Sequence, residues 1–320
     1  MPFAFVGIIE AMSFDFDTAV SAPFRMQPGL RKLEPGTPQL TPAAPGSRHQ
    51  REKLAVLSAF APHALLKAPG FDERTALHAL AAHAAAEHPL HFAWDGRRAH
   101  AKTLGAAVAD GEVEQVQAGV FWLGDEVARC LRGLAPECRL AGLLSLAFAE
   151  DFAAVDGETG HIPWLAVALP SSWAPEEKVG RPFGEVHAPV ADNRLVVGAA
   201  AALTRLVTGD ERWERFVWNV TPQPRLHAHP ARIDPRRWGV AGIERAWWRT
   251  ERQTFIPVPA ARQAVFTILV DVQPLAAAID SAARAARLHE AIASMSPAVL
   301  DYRGLAPVRD ALLAWLAARR

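Results

Sequence analysis

One stretch of the chain concentrates residues able to do chemistry: residues 169–193, LPSSWAPEEKVGRPFGEVHAPVADN. It places Trp173, Lys178, Arg181 and His187 in a short run framed by prolines. An imidazole nitrogen can donate a lone pair to a metal or carry a proton, and lysine and arginine hold carboxylates or phosphates. Tryptophan offers a flat apolar wall. The segment follows residues 162–169 (IPWLAVAL), an apolar run between turn formers that reads as a buried strand. A strand end opening into irregular, proline-bounded chain is a ligand-cradling arrangement. By residue type alone, however, a lone loop histidine is more often a surface or hydrogen-bonding group than a ligand, so composition leaves both roles open for His187.

The elements that must position this stretch can be read from periodicity. Residues 29–47 are rich in proline and glycine, which fix extended geometry and prevent helix, so they read as an arm laid on the surface. Residues 52–60 carry Leu54, Leu57 and Phe60 at helical spacing, and Asp72 can cap a helix over 73–87 that Pro89 ends. Further helices are expected over 125–134 and, strongly apolar, from 139 to about 155. Strands follow at 162–169, 215–220, 252–258 and 264–272, with helices at 198–207, 275–293 and 306–318. Helices precede a mixture of strands and helices, which makes the class α+β. The organisation expected is an N-terminal arm over residues 1–50 and one α+β domain over 51–320. Residues 222–238 form a long irregular connection of the kind often used for function.

Charge and composition narrow the chemistry. Half of the 320 residues are apolar and 21% are charged, enough to bury a core and enclose a ligand. Lysine plus arginine and aspartate plus glutamate both total 34, so no net field gathers nucleic acid or anionic lipid, and neither is expected as a partner. Cys130 and Cys138 have no second pair to complete a zinc site and read as thiols of a reducing compartment. Met1 to Glu10 lacks the charge and length of a leader or a membrane span, and the expected location is cytoplasmic. His78, His83 and His88 recur every five residues, scatter around a helix and read as solvated. His227 and His229 alternate on an extended segment and read first as surface residues. There is no G-x-S-x-G, H-E-x-x-H or phosphate-binding loop, which leaves hydrolase and nucleotide-hydrolysing readings without support.

The same central stretch resembles a signature of the haem-dependent oxidative N-demethylase family, W-x-P-x-x-K-x-G-x-P-x-x-x-[IV]-H-x-P-V. Trp173, Pro175, Lys178, Gly180, Pro182, Val186, His187, Pro189 and Val190 match it. A second block, residues 251–266 (ERQTFIPVPAARQAVF), is similar to the family's E-R-Q-T-[LF]-x-x-[LV]-P and the strand after it. Residues 23–33 (PFRMQPGLRKL) resemble its N-terminal P-[FY]-x-M-x-x-G-L-[RK]-x-L, and Glu150–Asp151 add a weaker echo. The family's aspartate and tyrosine after that N-terminal motif have no counterpart, the sole tyrosine being Tyr302.

The resemblance implies a PAS-like antiparallel sheet core with N-terminal and C-terminal helices, binding haem b. A histidine ligates the iron, and a small secondary amine is N-demethylated with O₂. Electrons would come from a separate reductase carrying NADPH, flavin and iron–sulfur chemistry. Carried over residue by residue, His187 becomes the axial ligand, Trp173 a pocket wall, and Lys178, Arg181 and Arg252 cations for propionates or pocket. Glu251 either pairs with one of these or forms a structural ion pair with Arg252. A non-catalytic haem or small-molecule sensor on the same fold is the alternative reading.

Overall fold

The computed structural model describes residues 14–117, 124–186, 191, 197–240 and 242–320. Its centre is a seven-stranded antiparallel sheet. The strands in chain order are β1 (Arg31–Lys32), β2 (Leu65–Lys67), β7 (Asp151–Asp156), β8 (Trp164–Ala166), β9 (Trp213–Thr221), β10 (Trp247–Val258) and β11 (Gln263–Pro274). They are arranged β1-β9-β10-β11-β7-β8-β2. A second sheet of four strands, β3 (Phe92–Trp94), β4 (Arg98–Ala101), β5 (Ala106–Ala109) and β6 (Glu112–Gln115), is a simple meander. Mixed helices and antiparallel sheets make the fold α+β, as the order of elements in the sequence implies.

The large sheet has two differently used faces. Ile256, Val258 and Val265 pack into the main core with Leu77, Leu80 and Leu144 of the helices Arg74–Glu87 and Arg139–Ala147. Toward one end of β9 and β10, Trp218 and Trp248 stack with ring centres 5.1 Å apart. They anchor a second core built with the C-terminal helices Ala282–Ala293 and Arg309–Ala317. On the other face of the sheet lies the cavity described below.

Several expectations need correction. The fourth helix stops at Ala147 instead of running to about 155. Beyond it, tertiary partners take the backbone groups: Lys53 Nζ donates to the carbonyls of Phe148, at 3.1 Å, and Glu150. Asp151 Oδ2 accepts from Leu169 N at 2.6 Å, and β7 begins. Apolar periodicity cannot separate a buried helix from the buried strand that follows it. The β3–β6 meander, in turn, is not anticipated at all. Its two tight hairpins carry Asp95–Gly96 and Asp110–Gly111, and in the second both residues have positive φ (49° and 79°), the geometry that selects Asp-Gly turns. Short alanine-rich strands hid the pattern between them.

The proline-rich arm is likewise buried in part. Gln39 and Leu40 are 0% and 1% exposed. Prolines supply no N–H, and the remaining amides find side-chain acceptors. Glu87 accepts from Gln39 N and Leu40 N, each at 2.8 Å, and Glu150 accepts from Thr41 N at 2.9 Å. His83 and His88 are half-buried against Glu87 at 3.4 and 3.2 Å, so only His78 of that series is exposed.

Lys53 is fully enclosed between the helix Arg48–Ala64 and β7, in an ion pair with Asp151 at 3.2 Å. Burial pulls its ammonium below the usual lysine range, and the carboxylates of Asp151 and Glu150 oppose that. Removing one member of a buried pair strands the other's charge. Lys53→Met is therefore expected to destabilise the protein by about 3–5 kcal/mol, read from urea unfolding at neutral pH. A change below about 1 kcal/mol would show that the pair carries little.

Candidate functional site

Alternation along β9 to β11 builds the floor of the site. Cross-strand partners share a face, and the register pairs Arg249 with Asn219, Glu251 with Val217, Gln253 with Arg215, and Phe255 with Trp213. On the other side Gln253 meets Ile268 and Phe255 meets Phe266. Phe266 continues to Ala153 of β7, and Ala153 to Leu165 of β8. This face lines a cavity of about 350 Å³, within the range of ligand sites. Its floor is polar around Arg215, Glu251 and Gln253 and apolar around Phe255, Phe266, Ala153 and Leu165, with the Phe255 and Phe266 rings stacked at 4.8 Å.

The walls come from four directions. Met26, Gln27, Pro28 and Leu30 of the N-terminal arm close one side, and Leu203 and Val207 of the helix Ala200–Val207 another. Tyr302 and Arg303, at the end of the helix Pro297–Tyr302, stand beside the polar half of the floor. Ser171, Ser172, Trp173, Lys178, Phe183 and Val186 come from the motif stretch.

That stretch is held by its own backbone. Gly180 has φ +76°, a left-handed conformation that costs glycine least. The turn lets Gly180 N donate to Ile162 O at 2.8 Å and Ile162 N donate to Arg181 O at 3.0 Å, tying the stretch beside β8. Lys178 Nζ donates to the carbonyl of Val186 at 3.0 Å, closing the loop on itself. Burial lowers the Lys178 pKa, Glu177 opposing and Arg181 adding to the fall.

Of the residues singled out in the sequence, Trp173, Lys178 and Glu251 line this cavity together. His187 lies outside the described residues, as do Pro189 and Val190 of the motif; Val186, which precedes His187 in the chain, is on the cavity wall. Arg181 is exposed and absent from the lining. Arg252 points to the opposite face of the sheet, where its Nε donates to Glu214 at 3.0 Å and its Nη1 to Pro38 O at 3.0 Å. A period of two sends neighbours Glu251 and Arg252 to opposite faces, so they cannot serve one pocket or pair with each other.

The cations that do reach the cavity are Arg215, Arg249 and Arg303, with Lys178. Arg249 is 5% exposed and spent on structure. It donates to Ser171 Oγ at 2.7 Å and to the carbonyls of Leu226 at 2.7 Å, Arg225 at 3.0 Å, Pro170 at 3.2 Å and Leu169 at 3.3 Å. Burial brings its pKa down to about 10. Arg303 donates to Trp218 O at 2.5 Å and lies against the Trp218 and Phe24 rings, with burial again lowering its pKa to about 10. Arg215 differs: it makes no hydrogen bond among the described residues and its Nε is enclosed. Burial lowers its pKa and the charge of Glu251 opposes that. Burial also raises the Tyr302 phenol. Arg249 was missed because β10 was read from 252; begun at 247, its alternation displays Arg249, Glu251, Gln253 and Phe255 on one face.

The irregular connection over 222–238 packs against the outside of the motif stretch. His229 Nε2 meets Glu176 at 3.1 Å and is 8% exposed, so the expectation of surface exposure fails there. Among the described residues no group of three or more histidine, cysteine or acidic side chains is arranged to hold a metal ion, and no helix is long and apolar enough to cross a membrane.

A family model, haem-dependent oxidative N-demethylase, alpha subunit-like, matches residues 72–313. The match covers well over half of the chain, which therefore belongs to that family. Both blocks quoted above, 173–190 and 251–266, fall inside the matched residues, and the N-terminal motif at 23–33 precedes them.

His227 provides a pH test of the packing behind the site. Its Nδ1 donates to the carbonyl of Ala168 at 2.7 Å, and its Nε2 is enclosed with no partner among the described residues. Burial pulls its pKa below the usual histidine value, the Ala168 bond opposing and Arg232 and His229 adding. A depressed folded pKa means the unfolded chain takes the proton first. The resulting stability is present above about pH 6.5 and is lost as pH falls through the folded value. Urea midpoints at about pH 7.5 and about pH 5.5 should differ less in His227→Asn, which keeps a donor for Ala168, than in the parent. An equal difference in both proteins would remove His227 from the acid response.

Proposed function

We propose that this chain is a haem b protein that N-demethylates a small secondary amine with O₂, electrons being delivered by a separate NADPH-dependent flavin and iron–sulfur reductase. Family membership supports haem dependence. The observation that carries the reading is the cavity itself: a flat apolar floor of Phe255, Phe266, Ala153 and Leu165, flanked by cations, beside the stretch that leads into His187. A haem asks for these features: apolar contact for the macrocycle, cations for two propionates and an axial donor.

The described residues fit such a group. Arg303 carries a buried Nε without a partner among the described residues, which calls for an anion, and Lys178 adds positive charge along the walls. His187 is the proposed iron ligand, and Trp173 a wall of the cavity. Arg181 and Arg252 are left out of the pocket role, the first by its exposure and the second by its face of the sheet. When bound, haem supplies the activation of O₂, and the protein supplies binding, polarity and exclusion of water.

The protein's own groups set up the rest. Glu251, 8% exposed on the cavity floor, is placed to hold an alkylammonium, and Gln253 Nε2 donates to its Oε2 at 2.6 Å and orients it. The N-methyl carbon is oxidised to formaldehyde and its bond to nitrogen breaks. One oxygen atom leaves in formaldehyde and the other as water, with two electrons and two protons supplied from outside. The nitrogen keeps a hydrogen as the shortened amine.

The test is reconstitution with haemin followed by assay with a reductase, O₂ and N-methylated amines. A one-to-one Soret-absorbing complex, with formaldehyde formed in step with oxygen consumed, is expected. Failure to bind haemin contradicts the proposal. A stable haem complex that releases no formaldehyde from any methylamine favours the non-catalytic sensor instead.

A further inference from the structure

The polar half of the cavity floor holds two opposite charges that do not meet. Arg215 of β9 and Glu251 of β10 are diagonal neighbours on the same face, one pair removed in register. Both line the cavity, yet no ion pair within 4.0 Å joins them. The carboxylate's hydrogen-bond partner is Gln253, and the guanidinium makes no hydrogen bond among the described residues. Across the surface, by contrast, even exposed arginines of this protein reach their carboxylates, as Arg97 does Asp110 and Arg262 does Glu158.

An enclosed guanidinium Nε left without an acceptor is unfavourable, and so is a buried carboxylate with a single amide. Direct pairing would relieve both. Held apart across one cavity, the two charges are instead complementary to a ligand that carries the reverse pair. A simple dialkylammonium satisfies Glu251 and adds a third charge near Arg215, whereas a zwitterion satisfies both at once. The planar guanidinium also matches a carboxylate in a two-bond fork.

Resting on the haem demethylase reading above, we infer that the substrate class of this chain is an N-methylated amino acid, its carboxylate held by Arg215 and its ammonium by Glu251. N-methylglycine is the smallest member with a secondary nitrogen, and its products would be glycine and formaldehyde. Tyr302, a lining residue near Arg215 and Glu251 that is 47% exposed, offers a hydroxyl to the second carboxylate oxygen.

The experiment is calorimetric titration of the haem-loaded protein with N-methylglycine and with dimethylamine, repeated for Arg215→Met, Arg215→Lys and Glu251→Gln. N-methylglycine is expected to bind at least about tenfold more tightly than dimethylamine, since a site built for a charged group discriminates strongly against ligands lacking it. Arg215→Met should bring that ratio to about one, and Arg215→Lys, which keeps the charge in the cavity, to an intermediate value. Glu251→Gln should weaken both ligands. Equal affinities in the parent, or a preference indifferent to Arg215, overturn the inference. So does loss of haem from Arg215→Met combined with no N-methylglycine heat in the parent, which would make Arg215 a propionate clamp. Titration of protein without haem separates the two ideas. Arg215-dependent binding of N-methylglycine to a chain that takes up no haemin would sink the demethylase reading and keep the zwitterion site.

Discussion

The arrangement of the cavity depends on one buried guanidinium. Arg249 projects from the middle of the sheet and gathers four carbonyls and a serine hydroxyl from two irregular segments, residues 169–171 and 225–226. Neither segment has regular secondary structure to satisfy those carbonyls, and buried carbonyls without donors cost about 1–3 kcal/mol each. A fork of five N–H groups serves them together, which a lysine ammonium could not do in the same plane. The consequence is positional: the chain leaving β8 is stapled to the sheet immediately before it delivers Trp173 and Lys178 to the cavity wall.

The sheet handles charge in two ways. Arg252 contacts Glu214 and Gln39 reaches Thr254 on the face away from the cavity, and on the cavity face Asp151 meets Lys53 and Arg249 meets protein carbonyls, each answered within the fold. Facing the cavity, Arg215 and Glu251 remain apart. Structural pairs of the first kind fix register and orient the arm and helices. Separated charges of the second kind are a common mark of a binding site, because only a ligand completes them.

The class of the fold was legible because the long strands β9, β10 and β11 and the helix Arg74–Glu87 announce their periods over many residues. The meander was not, although Asp95–Gly96 and Asp110–Gly111 carry the hairpin signal in plain view; strands of three or four residues give the period of two too little length. Trp173 and Lys178 of the motif stretch line the cavity wall, and the turn at Gly180 that helps bring them there is legible in the sequence, since proline and glycine at fixed spacing dictate it. Arg215 and Tyr302 were invisible as site residues. Each belongs to an element that reads as ordinary core or surface, and only the register of β9 on β10 and the return of the C-terminal helix bring them to the cavity. Arg252 was drawn in with Glu251 by the resemblance of residues 251–266, and neighbours on a strand face apart.

The bond on which the functional reading turns is the one proposed between the His187 imidazole and iron. Resonance Raman spectroscopy of the ferrous haem-loaded protein addresses it directly, through the iron–histidine stretching mode. The mode is expected in the parent, absent in His187→Gly, and restored to that variant by added imidazole. A ferrous spectrum unchanged by His187→Gly would contradict the assignment and, with it, the use of the motif stretch as a haem cradle.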